Sequence, residues 1–407
     1  MAVWGIKIGR LPLLAGAFLA VPGVVPTSFA QTVIPYNNGD LKAAPIILID
    51  PSGTVLTLPN GVAEQSGDIS ETGGPKSLFK TGAGELILSG TNTYTGATNV
   101  LAGKLTAASD TALSAASDFR VNKNAWLTLD DGVEAHINSL ANGPLGGGRV
   151  IIGANDPLTT LFIGSNGGAT TTFGGSITGA GNLELDGGSL TLNGADSKIG
   201  GDLTIAICGC RTGGLTLAGA NFDVGGSVTV SNGKLAVTLG GVLTQLDPTQ
   251  GLGASDSNIL VDGSGSKIDV AGLALLSNSS LTVSNGGQFK QTAAIPSLPG
   301  FFADASTILV EGAGSSIDVT GLALSNGSLS VLSGGKLSQS DKTTGLAVDS
   351  GAMRIDGAGS RVDVAGQTSI TGTTHDVSLV IANGGVLKSR GSAVLAGRLA
   401  SPPFPQA

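Results

Sequence analysis

The chain has 407 residues, of which 66 are glycine, 41% are hydrophobic and only 12% are charged, and its net charge is −8 at pH 7. A globular enzyme usually carries about 25% charged residues, and disordered chains lack the aliphatic residues that are frequent here. The acidic balance argues against nucleic acid or an anionic membrane surface as a partner. This composition favours short β-strands joined by tight turns in one continuous repeat structure.

The first 30 residues have the features of a secretory signal peptide. A basic start is followed by an apolar stretch at 11–25, and Ser28-Phe29-Ala30 places small residues at the two positions that signal peptidase recognises. A membrane-spanning helix needs about 20 apolar residues, and prolines interrupt this shorter run. We therefore expect export, removal of residues 1–30, a mature chain that begins at Gln31, and no transmembrane span in that chain.

The most distinctive sequence pattern lies between residues 80 and 105. From Lys80 to Val100 the patterned residues fall on even-numbered positions, as they do in a β-strand with one buried face. The defined positions are Lys80, Gly82, Gly84, Leu86, Leu88, Gly90, Asn92, Tyr94, Gly96, Thr98, Val100, Gly103 and Leu105. Without any gap, this pattern closely resembles the passenger-associated transport repeat of autotransporters, also described as an autotransporter-associated β-strand repeat.

The resemblance implies a fold and a cellular location. Autotransporter passengers are right-handed parallel β-helices that are exported to the cell surface, where many are adhesive or self-associating. The segment 173–194 is similar to the degenerate coils that follow such a repeat in these proteins. The chain's last residues lack the outward apolar strands and aromatic girdles of a translocator barrel. We therefore expect the family's C-terminal barrel to be absent from these residues.

A second pattern of three longer repeats occupies the C-terminal half. The copies are 259–270, 308–319 and 353–364, which begin 49 and 45 residues apart. Each copy has a β-branched strand, a glycine turn and a second strand, and glycine supplies the positive φ angles that such turns need. Because a strand has about 4–8 residues, each unit is long enough for about two coils. At ~22 residues per coil, residues 78–395 predict about 14 coils.

The period of two within the repeats separates inward from outward side chains. The predicted inward residues are Leu86, Leu88, Ile268, Ile317 and Val362, and the predicted outward residues are Lys267, Ser316 and Arg361. The patterns divide the chain into a signal peptide (1–30), an N-terminal lead-in or cap (31–77), a β-helix section with the repeat at 78–108 (78–250), a β-helix section with the three longer repeats (251–395) and a proline-containing tail (396–407).

An enzyme is the main alternative, because polysaccharide lyases and hydrolases also use parallel β-helices. Glycoside hydrolysis needs two carboxylates placed across the sugar bond. Asp130-Asp131 is the only adjacent aspartate pair, and Gly132 follows it, so a turn is the favoured setting. The Gly-His-Gly and Arg-Ile-Lys motifs of pectinase-like sites do not occur. We predict no catalytic residue and no cofactor.

A repeated carboxylate is the candidate metal ligand. Asp269, Asp318 and Asp363 occupy one repeat position, and Ca²⁺ prefers several oxygen ligands. The nonapeptide calcium pattern Gly-Gly-x-Gly-x-Asp is absent. We favour an outward carboxylate beside a turn and predict no metal site.

The two cysteines are the candidate disulfide. Cys208 and Cys210 share one strand face, with Cα atoms about 6.6 Å apart, which is within the range that a disulfide tolerates. An oxidising compartment would permit a small strained bridge. A metal site would need more ligands, and the histidines, His136 and His375, are distant along the chain. Structural or incidental cysteines are the favoured interpretation.

These patterns indicate an exported structural β-helix, adhesive or self-associating, at the cell surface, secreted or periplasmic. Its expected partner is a host or neighbouring cell surface, or another copy of the chain. The alternative is a carbohydrate-active β-helix enzyme. A groove lined by two or three acidic residues with lysine or arginine would favour the enzyme, and a flat lateral face of Thr, Ser and Asn would favour adhesion.

Overall fold

The computed structural model describes residues 31–206, 213–293, 298–372 and 377–396. All regular elements in these ranges are β-strands, and the strands pair in parallel. The predicted signal peptide (1–30) and the cysteines Cys208 and Cys210 lie outside the described residues, as does His375.

Successive coils of the chain stack on one another and form three faces. The first face begins with a six-stranded sheet: Thr32–Pro35, Thr54–Thr57, Leu78–Thr81, Thr98–Val100, Asp118–Val121 and Ser139–Asn142. It continues with a ten-stranded sheet: Thr170–Phe173, Gly188–Leu192, Gly213–Ala218, Lys234–Thr238, Asn258–Asp262, Ser280–Ser284, Thr307–Glu311, Ser328–Leu332, Ala352–Asp356 and Ser378–Ala382.

The second face is one sixteen-stranded sheet that runs along the whole stack. Its strands are Leu41–Lys42, Val62–Gln65, Glu85–Leu88, Gly103–Ala107, Ala125–Leu129, Arg149–Ile152, Ser176–Gly179, Ser197–Ile199, Asn221–Val224, Val242–Gln245, Lys267–Val270, Gln288–Gln291, Ser316–Val319, Lys336–Gln339, Arg361–Val364 and Val386–Ser389. Two of these strands precede residue 78, so fourteen coils lie within 78–395, as predicted.

The third face has a two-stranded sheet, Ile46–Leu48 and Ile69–Glu71, and then a twelve-stranded sheet. The twelve strands are Glu134–Ile137, Thr160–Ile163, Asn182–Leu185, Leu203–Ala206, Val228–Ser231, Gly251–Ser255, Leu273–Ser277, Phe301–Asp304, Leu322–Ser325, Leu346–Asp349, Thr368–Thr371 and Ala393–Ala396. The predicted parallel β-helix is confirmed. Crossovers between parallel strands are right-handed in about 98% of cases, which is the physical basis of the predicted hand.

The stack begins upstream of the passenger-type repeat. Thr54–Thr57 pairs in register with Leu78–Thr81, and Val62–Gln65 pairs with Glu85–Leu88. The segment 31–77 therefore forms coils that are continuous with those of the repeat.

Ladders of inward aliphatic and aromatic side chains fill the space between the three faces. On the second face, Ile268, Phe289, Ile317, Leu337 and Val362 occupy consecutive rungs and are buried. The outward side chains Lys267, Ser316 and Arg361 are partly exposed. The predicted separation into inward and outward residues is correct, and each fully buried aliphatic side chain stabilises the fold by about 1.5–3 kcal/mol.

Each of the longer repeats makes two coils, as predicted. Ile259, Leu281 and Ile308 are consecutive rungs of the ten-stranded sheet, so the second copy begins two coils after the first. Buried glutamines mark every other coil at the end of the second-face strand: Gln245, Gln291 and Gln339 alternate with valines. Gln291 Nε2 donates to the carbonyls of Gly272 and Ala293, at 2.9 Å each. Glutamine on one coil and valine on the next explains a repeat of two coils.

Candidate functional site

The passenger-type repeat occupies the first and second faces of two adjacent coils. Its strands are Leu78–Thr81, Glu85–Leu88, Thr98–Val100 and Gly103–Ala107. Every even-numbered residue from Gly84 to Val100 is buried. The leucines Leu86, Leu88 and Leu105 are among the core residues. The side chains that define the repeat therefore point into the molecule.

Lys80 is a buried lysine at the start of the repeat, with 2% of its surface exposed. Its Nζ lies 2.9 Å from the carbonyl oxygens of Gly82 and Gly84, and 3.0 Å from that of Ala102 in the next coil. The carbonyl of Thr81 is 3.2 Å away. Burial lowers the pKa of Lys80 to about 8. The ammonium group joins the turns of two coils through backbone acceptors.

Asn92 connects three coils. Its Oδ1 accepts a hydrogen bond from the backbone N–H of Ile69 in the preceding coil, at 2.8 Å. Its Nδ2 donates to the carbonyl of Ala112 in the following coil, at 2.5 Å. The carboxamide of asparagine has an acceptor oxygen and a donor NH₂ group on one short side chain and so satisfies both neighbours, which explains asparagine at this position.

Tyr94 begins a buried chain of hydroxyl groups. Its OH lies 2.7 Å from Thr98 Oγ1, which is 2.8 Å from Ser117 Oγ. Ser117 in turn donates to the carbonyl of Gly96 at 2.7 Å. Burial raises the pKa of Tyr94 well above its usual range. This series of hydroxyl groups links the coil that contains Tyr94 to the following coil, which contains Ser117.

The glycines of the repeat lie where neighbouring coils approach most closely. A Cβ atom at Gly82 would lie 2.1 Å from the carbonyl oxygen of Leu58, and Gly82 also has a φ of +80°. A Cβ atom at Gly96 would lie 2.1 Å from the carbonyl oxygen of Lys76. Both positions exclude any side chain. The remaining motif glycines, Gly84, Gly90 and Gly103, also lie within 3 Å of neighbouring backbone at the Cβ position.

The motif is thus a set of connections between coils rather than an exposed binding surface. The inward direction of its polar residues was not predicted, although they share the even-numbered positions of the buried leucines. These shared even-numbered positions were the sequence signal that could have indicated the burial of the polar residues.

The candidate catalytic aspartates lie in an exposed turn. Asp130 and Asp131 follow Ala125–Leu129 and are both exposed. Asp131 Oδ1 accepts from the backbone N–H of Asn155 at 3.0 Å, and this bond lowers the pKa of Asp131. The two carboxylates belong to the turn, as the sequence favoured.

The repeated aspartates do not converge. Asp269, Asp318 and Asp363 occupy alternate rungs of one outward ladder, separated by Lys290 and Ser338. Asp269 forms an ion pair with Lys267 at 2.6 Å, and Asp363 pairs with Arg361. Within the described ranges, no group of three or more His, Cys, Asp or Glu residues is placed to hold a metal ion.

A polar cluster on the third face was not found by sequence reasoning. The rings of His136 and Phe162 stack with centroids 4.3 Å apart, and His136 Nδ1 lies 2.9 Å from Ser165 Oγ. Glu184 is the next rung after Phe162. Burial and, secondarily, the neighbouring Asp186 raise the pKa of Glu184 to about 7. The residues of this polar cluster are far apart in sequence, so only the register of the strands brings them together.

The outward surface of the ten-stranded sheet is rich in small polar side chains. They are Thr170, Thr172, Ser189, Thr191, Thr216, Asn258, Ser280, Thr282, Thr307, Ser328 and Ser330, all exposed or partly exposed. We call this surface the Ser/Thr face. Consecutive parallel rungs lie about 4.8 Å apart, and Lys234, Leu260 and Leu309 occupy some of the rungs between these polar residues.

The chain has similarities to known proteins in sequence and in structure. The sequence model of the passenger-associated-transport-repeat (PATR) family matches residues 78–107. The adhesin BmaC autotransporter of Brucella suis biovar 1 (strain 1330) is 35% identical over 161 residues, which are 39% of this chain and 4% of that protein. The crystal structure of the TibC-catalyzed hyper-glycosylated TibA55-350 fragment aligns at 13% identity with a TM-score of 0.23, over 89% of this chain and 100% of that one.

The chain is therefore a parallel β-helix that carries a passenger-associated transport repeat and is similar to autotransporter passengers. The matched segment represents a small part of the adhesin's length. Among the described residues, no helix has the length and apolar character needed to cross a membrane.

Proposed function

We propose that this chain is an exported, non-enzymatic passenger that acts at the cell surface as an adhesive β-helix. The Ser/Thr face carries the proposal, because it offers many hydroxyl groups and the amide of Asn258 along the stack. Such groups form hydrogen bonds with a partner surface without the cost of removing charges from water. The similarity to an autotransporter adhesin supports the same role.

The repeat residues support this role indirectly. Lys80 and Asn92 connect successive coils, and Tyr94 does so through Thr98, so these residues hold the lateral faces rigid rather than contact a partner. Rigid presentation reduces the entropy lost on binding.

The experiment is a bead-adhesion assay with the purified chain. Beads coated with the chain should attach to an epithelial cell monolayer well above albumin-coated beads, and the soluble chain should compete. A variant in which Thr282 and Ser330 are changed to lysine tests the Ser/Thr face. Its matched control carries lysine at Thr244 and Ser338 on the second face, which are also outward.

Adhesion should fall with the Ser/Thr-face variant and persist with the control. Attachment no greater than that of albumin would contradict the adhesive function. Release of sugars from polysaccharides by the chain would instead support the enzyme.

A further inference from the structure

The chain has one strongly exposed aromatic side chain among its described residues. Trp126 lies on the outward side of Ala125–Leu129, with 41% of its surface exposed. No packing or hydrogen-bonding role accounts for it, since the core lies on the opposite side of this strand. Aromatic side chains and arginines are the residues that most often dominate binding surfaces.

Cationic side chains flank the ring. Lys104, Trp126 and Arg149 are consecutive rungs of one outward ladder on the second face. The backbone positions of the two cationic residues are therefore about 10 Å apart, with that of Trp126 between them. Lys123, in the turn before Trp126, is also exposed. Arg149 and Lys123 have no ion pair within the part of the chain that the structure describes.

A groove passes on both sides of Trp126 along the corner between the first and second faces. Its two parts have volumes of about 580 and 600 Å³, and both are lined by Trp126 and Asn124. The corner is recessed because its turns consist largely of small residues, such as Gly61, Ala102, Gly148 and Gly175. The groove therefore follows the axis of the stack across several coils.

We propose that this groove binds an acidic polysaccharide, with one sugar ring stacked on Trp126 and anionic groups on either side contacting Lys104 and Arg149. The inference rests on the proposed adhesive function and adds to the Ser/Thr face a second contact site, whose ligand class it names. An extended glycan fits because its length matches a groove that crosses successive rungs, and the apolar face of a pyranose stacks on indole. A polyanion fits because the cations are adjacent to the ring.

The surrounding charge localises such a ligand. The chain as a whole is acidic, and at physiological salt charges interact over about 8 Å, so a polyanion meets net attraction only near a cationic cluster. Within the groove, Glu85 pairs with Lys104 at 2.8 Å, and Asp196 lines the far end. Arg149 is thus the principal free cation beside the ring, and its planar guanidinium suits carboxylate or sulfate.

The test uses the fluorescence of Trp126 itself. The chain has two tryptophans, so Trp4→Phe in the full chain leaves Trp126 as the only indole. This protein is titrated with hyaluronan, which carries uronate carboxylates, with heparin, which also carries sulfates, and with neutral dextran. We expect a saturable change in fluorescence with hyaluronan or heparin and none with dextran. Binding of hyaluronan would identify the carboxylate as the recognised group. Binding of heparin alone would identify the sulfate.

Variants in the same background assign the contacts. In a sedimentation assay, Trp126→Ala and Arg149→Ala should each weaken binding by about tenfold. Lys290→Ala removes an exposed cation from a distant rung of the same sheet and should leave affinity unchanged. Circular dichroism should show all three variants folded, because each side chain is exposed.

Binding that survives Trp126→Ala, equal binding of dextran, or equal losses in all three variants would overturn the proposal. Poly-glutamate that binds as well as the glycans would also overturn it, because charge alone would then suffice. Adhesion of beads coated with the unsubstituted chain, together with no binding of hyaluronan or heparin, would refute this site and leave the adhesive function standing.

Discussion

At the scale of single residues, the buried polar side chains of the repeat connect successive coils. Lys80 has four carbonyl oxygens within hydrogen-bonding distance, and no carboxylate pairs with it among the described residues. Removing a donor from buried carbonyls exposes the full cost of their desolvation. The stability of the repeat therefore depends more on Lys80 than on the charged side chains at the surface of the repeat.

We predict that Lys80→Met lowers the free energy of unfolding by about 2–4 kcal/mol, because methionine preserves the apolar stem but leaves the carbonyls without a donor. Lys198→Met, on an exposed outward position, should change it by no more than ~0.5 kcal/mol. Urea unfolding followed by circular dichroism measures both values. Equal effects would show that Lys80 does not connect the coils.

Glu184 gives a pH-dependent prediction. Its pKa is raised from 4.5 to about 7, so between these values the folded state holds a proton that the unfolded state has lost. Stability from this group is present below pH 4.5 and is lost as pH rises through 7. Glu184→Gln should therefore raise the Tm at pH 8 and leave it almost unchanged at pH 4.

Glu134→Gln, an exposed position on the same face, is the matched control and should have little effect at either pH. A Glu184→Gln variant that is less stable than the parent at pH 8 would contradict the assigned environment of this carboxyl group.

At the scale of the strand, stability depends on which side of the sheet a residue faces. Ile317 lies between Phe289 and Leu337 in the buried ladder of the second face, whereas Ser316 is partly exposed. Ser315, one residue earlier, is buried and donates to the carbonyl of Glu311 at 2.6 Å. Three adjacent positions thus have three different roles.

We predict that Ile317→Ala costs about 2–5 kcal/mol, since it leaves a cavity between two packed rungs. Ser316→Ala should cost no more than ~0.5 kcal/mol. Urea unfolding of the two variants side by side checks the register. A larger loss from the serine change would mean that inward and outward residues had been exchanged.

Much of the fold could be predicted because its cause is local. Alternation within Lys80–Leu105 and within the three longer repeats assigns inward residues without any knowledge of pairing. The groove at Trp126 could not be predicted in this way, because Lys104 and Arg149 become its neighbours only through the register. Coil lengths vary, so the register depends on how each turn closes, as at Gln291. The stack of His136 on Phe162 was invisible for the same reason.

At the scale of the whole molecule, sixteen stacked strands at ~4.8 Å give the second face a length of about 70 Å. We predict that small-angle X-ray scattering shows a rod with a longest dimension of at least that length. Circular dichroism should show β-structure as the dominant signal. A compact, nearly spherical scattering profile would contradict the stack.

The direction of the hydrogen bonds in this stack has a mechanical consequence. The bonds between parallel rungs lie along the long axis, so a force that pulls the two ends apart opens one coil at a time instead of shearing many strands together. Each opened coil of ~22 residues adds about 70 Å of extended chain. A cell held by such a molecule would lengthen its attachment in steps under flow, and the contact itself would experience a nearly constant load.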